Sequence, residues 1–142
     1  MRINDVLRGK GDLVVTVRPD ATVSNLLDLL AEHRVGALVV SREGTDVAGI
    51  VSERDVVRQL QARGPSLLDE PVSTIMTVQV YTCGPEAQLE DLMVMMTERR
   101  IRHVPVLEGD RMAGIVSIGD VVKHRIGELQ SERDHLTAYI ST

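Results

Sequence analysis

Ser52 and Asp55 stand three residues apart, and so do Ser117 and Asp120. A hydroxyl and a carboxylate at that spacing can do two kinds of chemistry. The plain one is helix capping, in which the serine accepts from an unpaired backbone N–H and the acidic side chain suits the positive end of the helix. The other is ligand binding. Where a strand runs straight into a helix, free N–H groups collect at a sheet edge and hold a phosphate readily; a serine hydroxyl adds a donor, and a carboxylate one turn along accepts from two ribose hydroxyls. Capping leaves unexplained the glycine and two apolar residues ahead of the serine in both places, GIVSERD at 49–55 and GIVSIGD at 114–120. Gly49 and Gly114 would let a ligand or a neighbouring backbone come close. Both readings stay open on these residues.

The heptads belong to a longer duplication, which settles architecture before any local reading. GIVSERDVVR and GIVSIGDVVK share seven of ten positions at an offset of 65. RVGALVV at 34–40 faces RIRHVPV at 100–106, VVTVRPDATVSNLLDLL at 14–30 faces VYTCGPEAQLEDLMVMM at 80–96, and INDVL at 3–7 faces VSTIM at 72–76. Each copy reads strand, helix, strand, strand, helix. VVTV and VYTC are short strands closed by Pro19 and Pro85, and Val23, Leu26, Leu27 and Leu30 map onto Leu89, Leu92, Met93 and Met96 as core-facing helix stripes. A hairpin follows, then a second helix after each serine. The class is α+β, with a first unit over 1–64, a linker over 65–71, a second unit over 72–127 and a helical extension over 128–142.

Composition narrows the function. The chain has 142 residues, 43% hydrophobic and 26% charged, a balance that allows one sizeable core. A net charge of −5, no Phe or Trp, and only Tyr81 and Tyr139 offer neither a basic field nor stacking aromatics, which argues against nucleic acid as a partner. No apolar run approaches the ~18 residues of a membrane span, and MRINDVLRGKGD lacks the apolar stretch of a secretory signal, so a cytoplasmic address without a membrane partner is expected. The single Cys83 makes no internal disulfide and reads as a half-buried strand residue.

The repeated G-I-V-S-x-x-D after a hairpin, with RHVPV ahead of the second copy, resembles the tandem cystathionine β-synthase (CBS) domain pair over nearly the whole chain. The resemblance implies two units packed sheet to sheet, modules that dimerise, and clefts that bind adenosyl compounds such as AMP, ADP, ATP, S-adenosylmethionine or NAD(H). It implies a regulatory sensor acting on an effector protein rather than a catalyst. Carried over by position, Ser52 and Ser117 would meet phosphate or ribose and Asp55 and Asp120 the ribose hydroxyls. Thr16 and Thr82 would sit at the cleft, while Gly36, Ala37, Arg102, His103 and Pro105 would line the base or phosphate region. The copies differ: GALVV stands where the other has RHVPV, and Glu53 and Arg54 stand where the other has Ile118 and Gly119. Cationic groups therefore come from Arg54 in one copy and from Arg102 and His103 in the other, and the clefts are expected to be inequivalent. A scaffold for protein interaction or stress, holding no nucleotide, is the alternative of a different class.

Other candidates carry less. His33, His103, His124 and His135 form no ligand cluster, and no Ser/His/Asp or Cys/His spacing points to an enzyme. Met93, Met95 and Met96 match Leu27, Leu29 and Leu30 and read as core. Past the repeat, Val122, Ile126, Leu129, Leu136 and Ile140 continue an apolar stripe with Arg133 in the vacant position. That helix either folds back on its own chain or meets a second copy.

Overall fold

The computed structural model describes residues 1–10 and 14–141. Helix α1 (Ile3–Lys10) is followed by β1 (Thr16–Val17), α2 (Val23–His33), β2 (Ala37–Val40), β3 (Gly49–Ser52) and α3 (Glu53–Arg63). Two 3-10 turns, Pro65–Asp69 and Val72–Thr74, lead to α4 (Leu89–Arg99), β4 (His103–Glu108), β5 (Arg111–Ser117) and α5 (Ile118–Ser141). The α+β duplication read from the sequence is present. Val23, Leu26 and Leu30 of α2 are buried, as are Leu89, Leu92 and Met96 of α4, which is the spacing that selects a helix with one apolar face. Both helices end on an arginine in the left-handed conformation, Arg34 and Arg100, each with φ 54. Glycine is the usual residue at such a stop. Its recurrence in both copies makes it a feature of the fold rather than of a site.

The first sheet has the order β1-β2-β3, with β1 parallel and β3 antiparallel to β2. The second has only β4 and β5, antiparallel. The strand expected over 80–83 is reduced to one parallel bridge from Cys83 to Val106. The cause is Pro105. Cys83 N–H donates to the Pro105 carbonyl (3.2 Å) and Leu107 N–H donates to the Cys83 carbonyl (2.8 Å). The next rung of this parallel ladder would need an N–H at residue 105, which proline lacks. The chain before Cys83 is thereby released from the sheet, and Tyr81 and Thr82 are exposed. Cys83 itself is half-buried, and burial pushes its thiol up to about 11, out of reach of thiolate chemistry at neutral pH.

Two cores form, and the segments ahead of each copy are exchanged between them. Leu26, Leu38, Val40 and Val51 pack with Leu67, Val72 and Ile75, so the stretch read as a linker contributes a fully buried side chain, Leu67, to the first core. Leu89, Leu92, Met96, Val104, Val106 and Val116 pack with Ile3 and Val6 of α1 in the second. A further tie joins the halves: Met112 N–H donates to the Thr45 carbonyl (2.9 Å) in the first hairpin turn. That turn is knit by Asp46, whose carboxylate accepts from the Ser41 hydroxyl (2.6 Å) and the N–H of Glu43 (2.8 Å) and Arg42 (3.0 Å). These bonds hold its pKa down to about 2.

Candidate functional site: an arginine-lined cleft between the two sheets

β3 passes into α3 without a loop, so Ser52 is at once the last strand residue and the helix N-cap. Its hydroxyl accepts from Asp55 N–H (3.3 Å), while Asp55 Oδ2 accepts from Ser52 N–H (2.8 Å) and from the Ser52 hydroxyl (3.0 Å). Ser117 and Asp120 repeat the arrangement at 3.2, 2.9 and 2.9 Å. Reciprocal capping is thus real in both copies. It uses one carboxylate oxygen of Asp55 and leaves Oδ1 without a hydrogen bond among the described residues.

Around Ser52 lies a cleft of about 430 Å³, lined from the first sheet by Gly36, Ala37, Ile50 and Val51 and from α3 by Glu53, Arg54, Asp55 and Arg58. Thr77, whose backbone exchanges hydrogen bonds with Ile50, is followed by Gln79, Val80 and Tyr81 of the released segment, and the approach to β4 contributes Arg100, Ile101, Arg102 and His103. Seven residues expected at a ligand meet here: Gly36, Ala37, Ser52, Arg54, Asp55, Arg102 and His103. Thr16 instead borders a shallow depression beside Arg18, Asp20 and Asp28. Thr82 is exposed and lines no described cleft, and Pro105 is buried in β4 opposite Ile115, where it ends a ladder rather than touching a base.

The guanidinium groups of Arg54, Arg58, Arg100 and Arg102 make no ion pair or hydrogen bond among the described residues, although the chain as a whole is acidic. Arg54 sits in the first turn of α3, where a cation opposes the helix dipole, and Arg58 follows at i+4, a like-charge neighbour. Both placements cost stability that a bound anion would offset. His103 has its pKa lowered, first by burial and then by Lys10, with Arg102 adding to them against Asp120 and Glu53. It therefore stands neutral near pH 7, able to donate from one ring nitrogen and accept at the other.

That shift predicts a pH effect. The unfolded chain binds a proton at His103 near 6.5, while the folded chain resists it. His103 therefore adds nothing unfavourable above about 6.5 and lowers stability as pH falls from there toward the folded value. Denaturant titrations at pH 7.5 and 5.5 are expected to show a smaller loss for His103→Gln than for wild type; equal losses would refute it.

The glycines of the heptads make room for the chain itself. A Cβ on Gly49 would lie 2.8 Å from the Thr77 carbonyl oxygen and 2.9 Å from the Met76 sulfur, and one on Gly114 would lie 2.6 Å from Leu7 Cδ2. Of the two possibilities left open by the sequence, close approach of neighbouring protein atoms is what the structure shows. Beside Gly114 the counterpart cleft is small, about 130 Å³, and is lined by Leu7, Lys10, Val14, Val15 and Val35 together with Ile115. There Lys10 Nζ donates to Asp120 Oδ2 (2.7 Å) and to the Ile115 carbonyl (2.8 Å).

Two clefts related by an internal duplication, each beside a Ser-x-x-Asp helix start, have now been described. The family model of the CBS domain matches residues 11–62 and again 72–127. The chain belongs to the CBS domain family. It is 38% identical over 146 residues to the CBS domain-containing protein CBSX3, mitochondrial, of Arabidopsis thaliana, covering 97% of this chain and 71% of that one. Among solved structures it is similar to a CBS-domain containing protein from Agrobacterium tumefaciens, with TM-score 0.84 and 43% identity over 88% of this chain and 99% of that one. Its fold also matches, at TM-score 0.80 and 21% identity over 90% of this chain and 98% of the other, the CBS domain pair of protein MJ0100 in complex with 5′-methylthioadenosine and S-adenosyl-L-methionine. In this CBS pair the residues that sequence reasoning missed are Arg58, Arg100, Tyr81 and Lys10. Arg58 lies one turn beyond Arg54 and was findable by helical spacing. The other three reach their clefts only through packing between the halves. Tyr81 does so with its ring held by Arg99, whose guanidinium lies 4.4 Å from the ring centroid.

Proposed function

We propose that this CBS pair is a regulatory module that binds one class of small molecule, an adenosyl nucleotide, in the Ser52–Asp55 cleft, and signals its occupancy to an effector protein. The observation that carries this reading is the set of four unpaired guanidinium groups around a cleft of about 430 Å³, within the range of small-molecule sites. Arg54, Arg58, Arg100 and Arg102 suit the oxygens of a phosphate chain, since each offers a planar two-point contact. Asp55 Oδ1 suits a ribose hydroxyl, and Ile50, Val51 and Ile101 supply apolar walls for a base. AMP, ADP, ATP and NAD(H) all fit this chemistry, and the adenosyl complex of the related fold supports it. The Ser52 hydroxyl is engaged with Asp55 in the helix cap, which suits a module that senses its ligand rather than converting it.

The test is a set of melting scans. At a hundred times its dissociation constant, a ligand that binds only the native state adds about 2.7 kcal/mol of stability. A rise is expected with at least one of AMP, ADP, ATP, NADH and S-adenosylmethionine. No rise with any of them overturns the reading and favours a scaffold that holds no nucleotide.

A second copy of the chain is the proposed partner of α5. The helix runs unbroken from Ile118 to Ser141, and no described residue from Leu129 onward is buried: Leu129 is 48%, Leu136 63% and Ile140 80% exposed. Folding back on its own chain, the other option from the sequence, would have to bury these side chains, which are exposed here. Val122, Ile126, Leu129, Leu136 and Ile140 form one seam. Each large apolar side chain fully buried there is worth about 1.5–3 kcal/mol. Truncation after Gly127 is expected to convert a sedimenting dimer to a monomer, and an unchanged dimer would show that the seam faces solvent in the assembly.

A further inference from the structure

The duplication supplies two clefts, yet only one is open, and the difference lies in what stands opposite each Ser-x-x-Asp. In the first cleft the segment after the second lead-in passes Asp55 with Gln79, which makes no hydrogen bond to it. In the second, α1 enters from the other end of the chain. Leu7 lies over Gly114, within 2.6 Å of where a Cβ would be, as Met76 lies over Gly49, but Leu7 also lines its cleft, and the Lys10 ammonium is held between Asp120 Oδ2 at 2.7 Å and the Ile115 carbonyl at 2.8 Å. The Lys10–Asp120 pair is partly shielded, with side chains 34% and 22% exposed. What remains is about 130 Å³, smaller than the usual volume of a nucleotide site.

We propose that α1 is the resident occupant of the second cleft, its end fixed there by Lys10, so that each chain takes one adenosyl ligand and takes it in the first cleft. Lys10 is a specificity-determining residue by exclusion. Its ammonium ties the end of α1 to Asp120 and to the Ile115 carbonyl, which leaves Asp120 Oδ1 as open as Asp55 Oδ1 among the described residues but keeps the second cleft at about 130 Å³. To admit a second ligand, the end of α1 must give up two hydrogen bonds and withdraw Leu7 from Gly114. Asp120 agrees with this pairing: burial works against its charge, yet the bonds from Lys10 and Ser117 keep its pKa below the ordinary carboxylate value. His103 pairs with Ser117 in the β4–β5 register and also lines the first cleft, so it stands in the wall between the occupied and the open site.

Two measurements test this, one of which uses no nucleotide. The chain has two lysines, Lys10 and Lys123, and Lys123 is exposed on α5. Lys10 must leave both of its contacts before its nitrogen can attack a reagent. Limited acetylation of the ligand-free protein, read by mass spectrometry, is expected to modify Lys10 at least fivefold more slowly than Lys123, and Asp120→Asn is expected to erase most of that difference. Equal rates in wild type overturn the plug whatever the module binds. The count of sites itself rests on the function proposed above and is read by calorimetry with AMP and with ATP. One event per chain is expected, abolished by Asp55→Ala and retained by Asp120→Ala, and the Leu7→Ala/Lys10→Ser variant is expected to bind two per chain. Two events in wild type, or one in the double variant, overturn the proposal. No binding by wild type at all, with Lys10 still protected, overturns the nucleotide reading while leaving α1 as the occupant.

Discussion

Ile3→Ala is expected to lower stability by about 2–5 kcal/mol, the range for removing most of a large aliphatic side chain from a packed core. For a chain of this size that is a melting temperature lower by roughly 5–15 °C. The reason is its address. Ile3 is fully buried among Leu89, Leu92 and Val104, so its loss opens a hole in the half of the molecule to which it does not belong in sequence. Leu67→Ala is expected to do the same to the first core, where Leu67 is equally buried. Val78→Ala is the control: Val78 is 72% exposed, and its removal is expected to change stability by less than about 0.5 kcal/mol. Circular dichroism melts of the three variants decide the matter. A wild-type melting temperature for Ile3→Ala would show that α1 is not a working part of the second core.

The second large effect concerns binding. Replacing Arg54 and Arg102 together by alanine is expected to weaken ATP by about 3–5 kcal/mol, since each charge-assisted contact contributes about 1.5–3 kcal/mol and neighbouring contacts do not add fully. That is more than a hundredfold in affinity. Adenosine, which carries no phosphate, is expected to bind within about threefold of wild type. Arg54→Ala alone is expected to raise the stability of the ligand-free protein by a few tenths of a kcal/mol, because it removes a cation from the first turn of α3 and a like charge from beside Arg58. Calorimetry with adenosine, AMP and ATP reads the first effect and a melting scan the second. Equal losses for adenosine and ATP would mean that the arginines hold the cleft's shape rather than a phosphate.

The duplication, the helix stripes and the position of each Ser-x-x-Asp at a helix start were legible because they are local: apolar periodicity and adjacent residues decide them. The first cleft was legible in part, since Ser52, Arg54 and Asp55 share one turn, and Arg102 and His103 precede one strand. Arg100 and Tyr81 were not, because the halves must pack before either side chain reaches Ser52. Pro105 was assigned to a base pocket, whereas its missing N–H ends a strand; that effect becomes visible only once the register with Cys83 is known. Least legible was the exchange of lead-in segments. INDVL and VSTIM align as equivalents, and nothing in either pattern says which core each will enter.

That exchange also fixes an order in time. α1 leaves the ribosome well before the residues from Leu89 to Val121 that will cover Ile3 and Val6, whereas everything the first core needs has emerged by residue 76. A helix of eight residues does not hold itself together in water. During synthesis, then, the segment made earlier is placed later: the first core closes over the 3-10 turns while α1 waits, uncovered and able to be captured by another nascent chain, until β5 completes the surface that receives it.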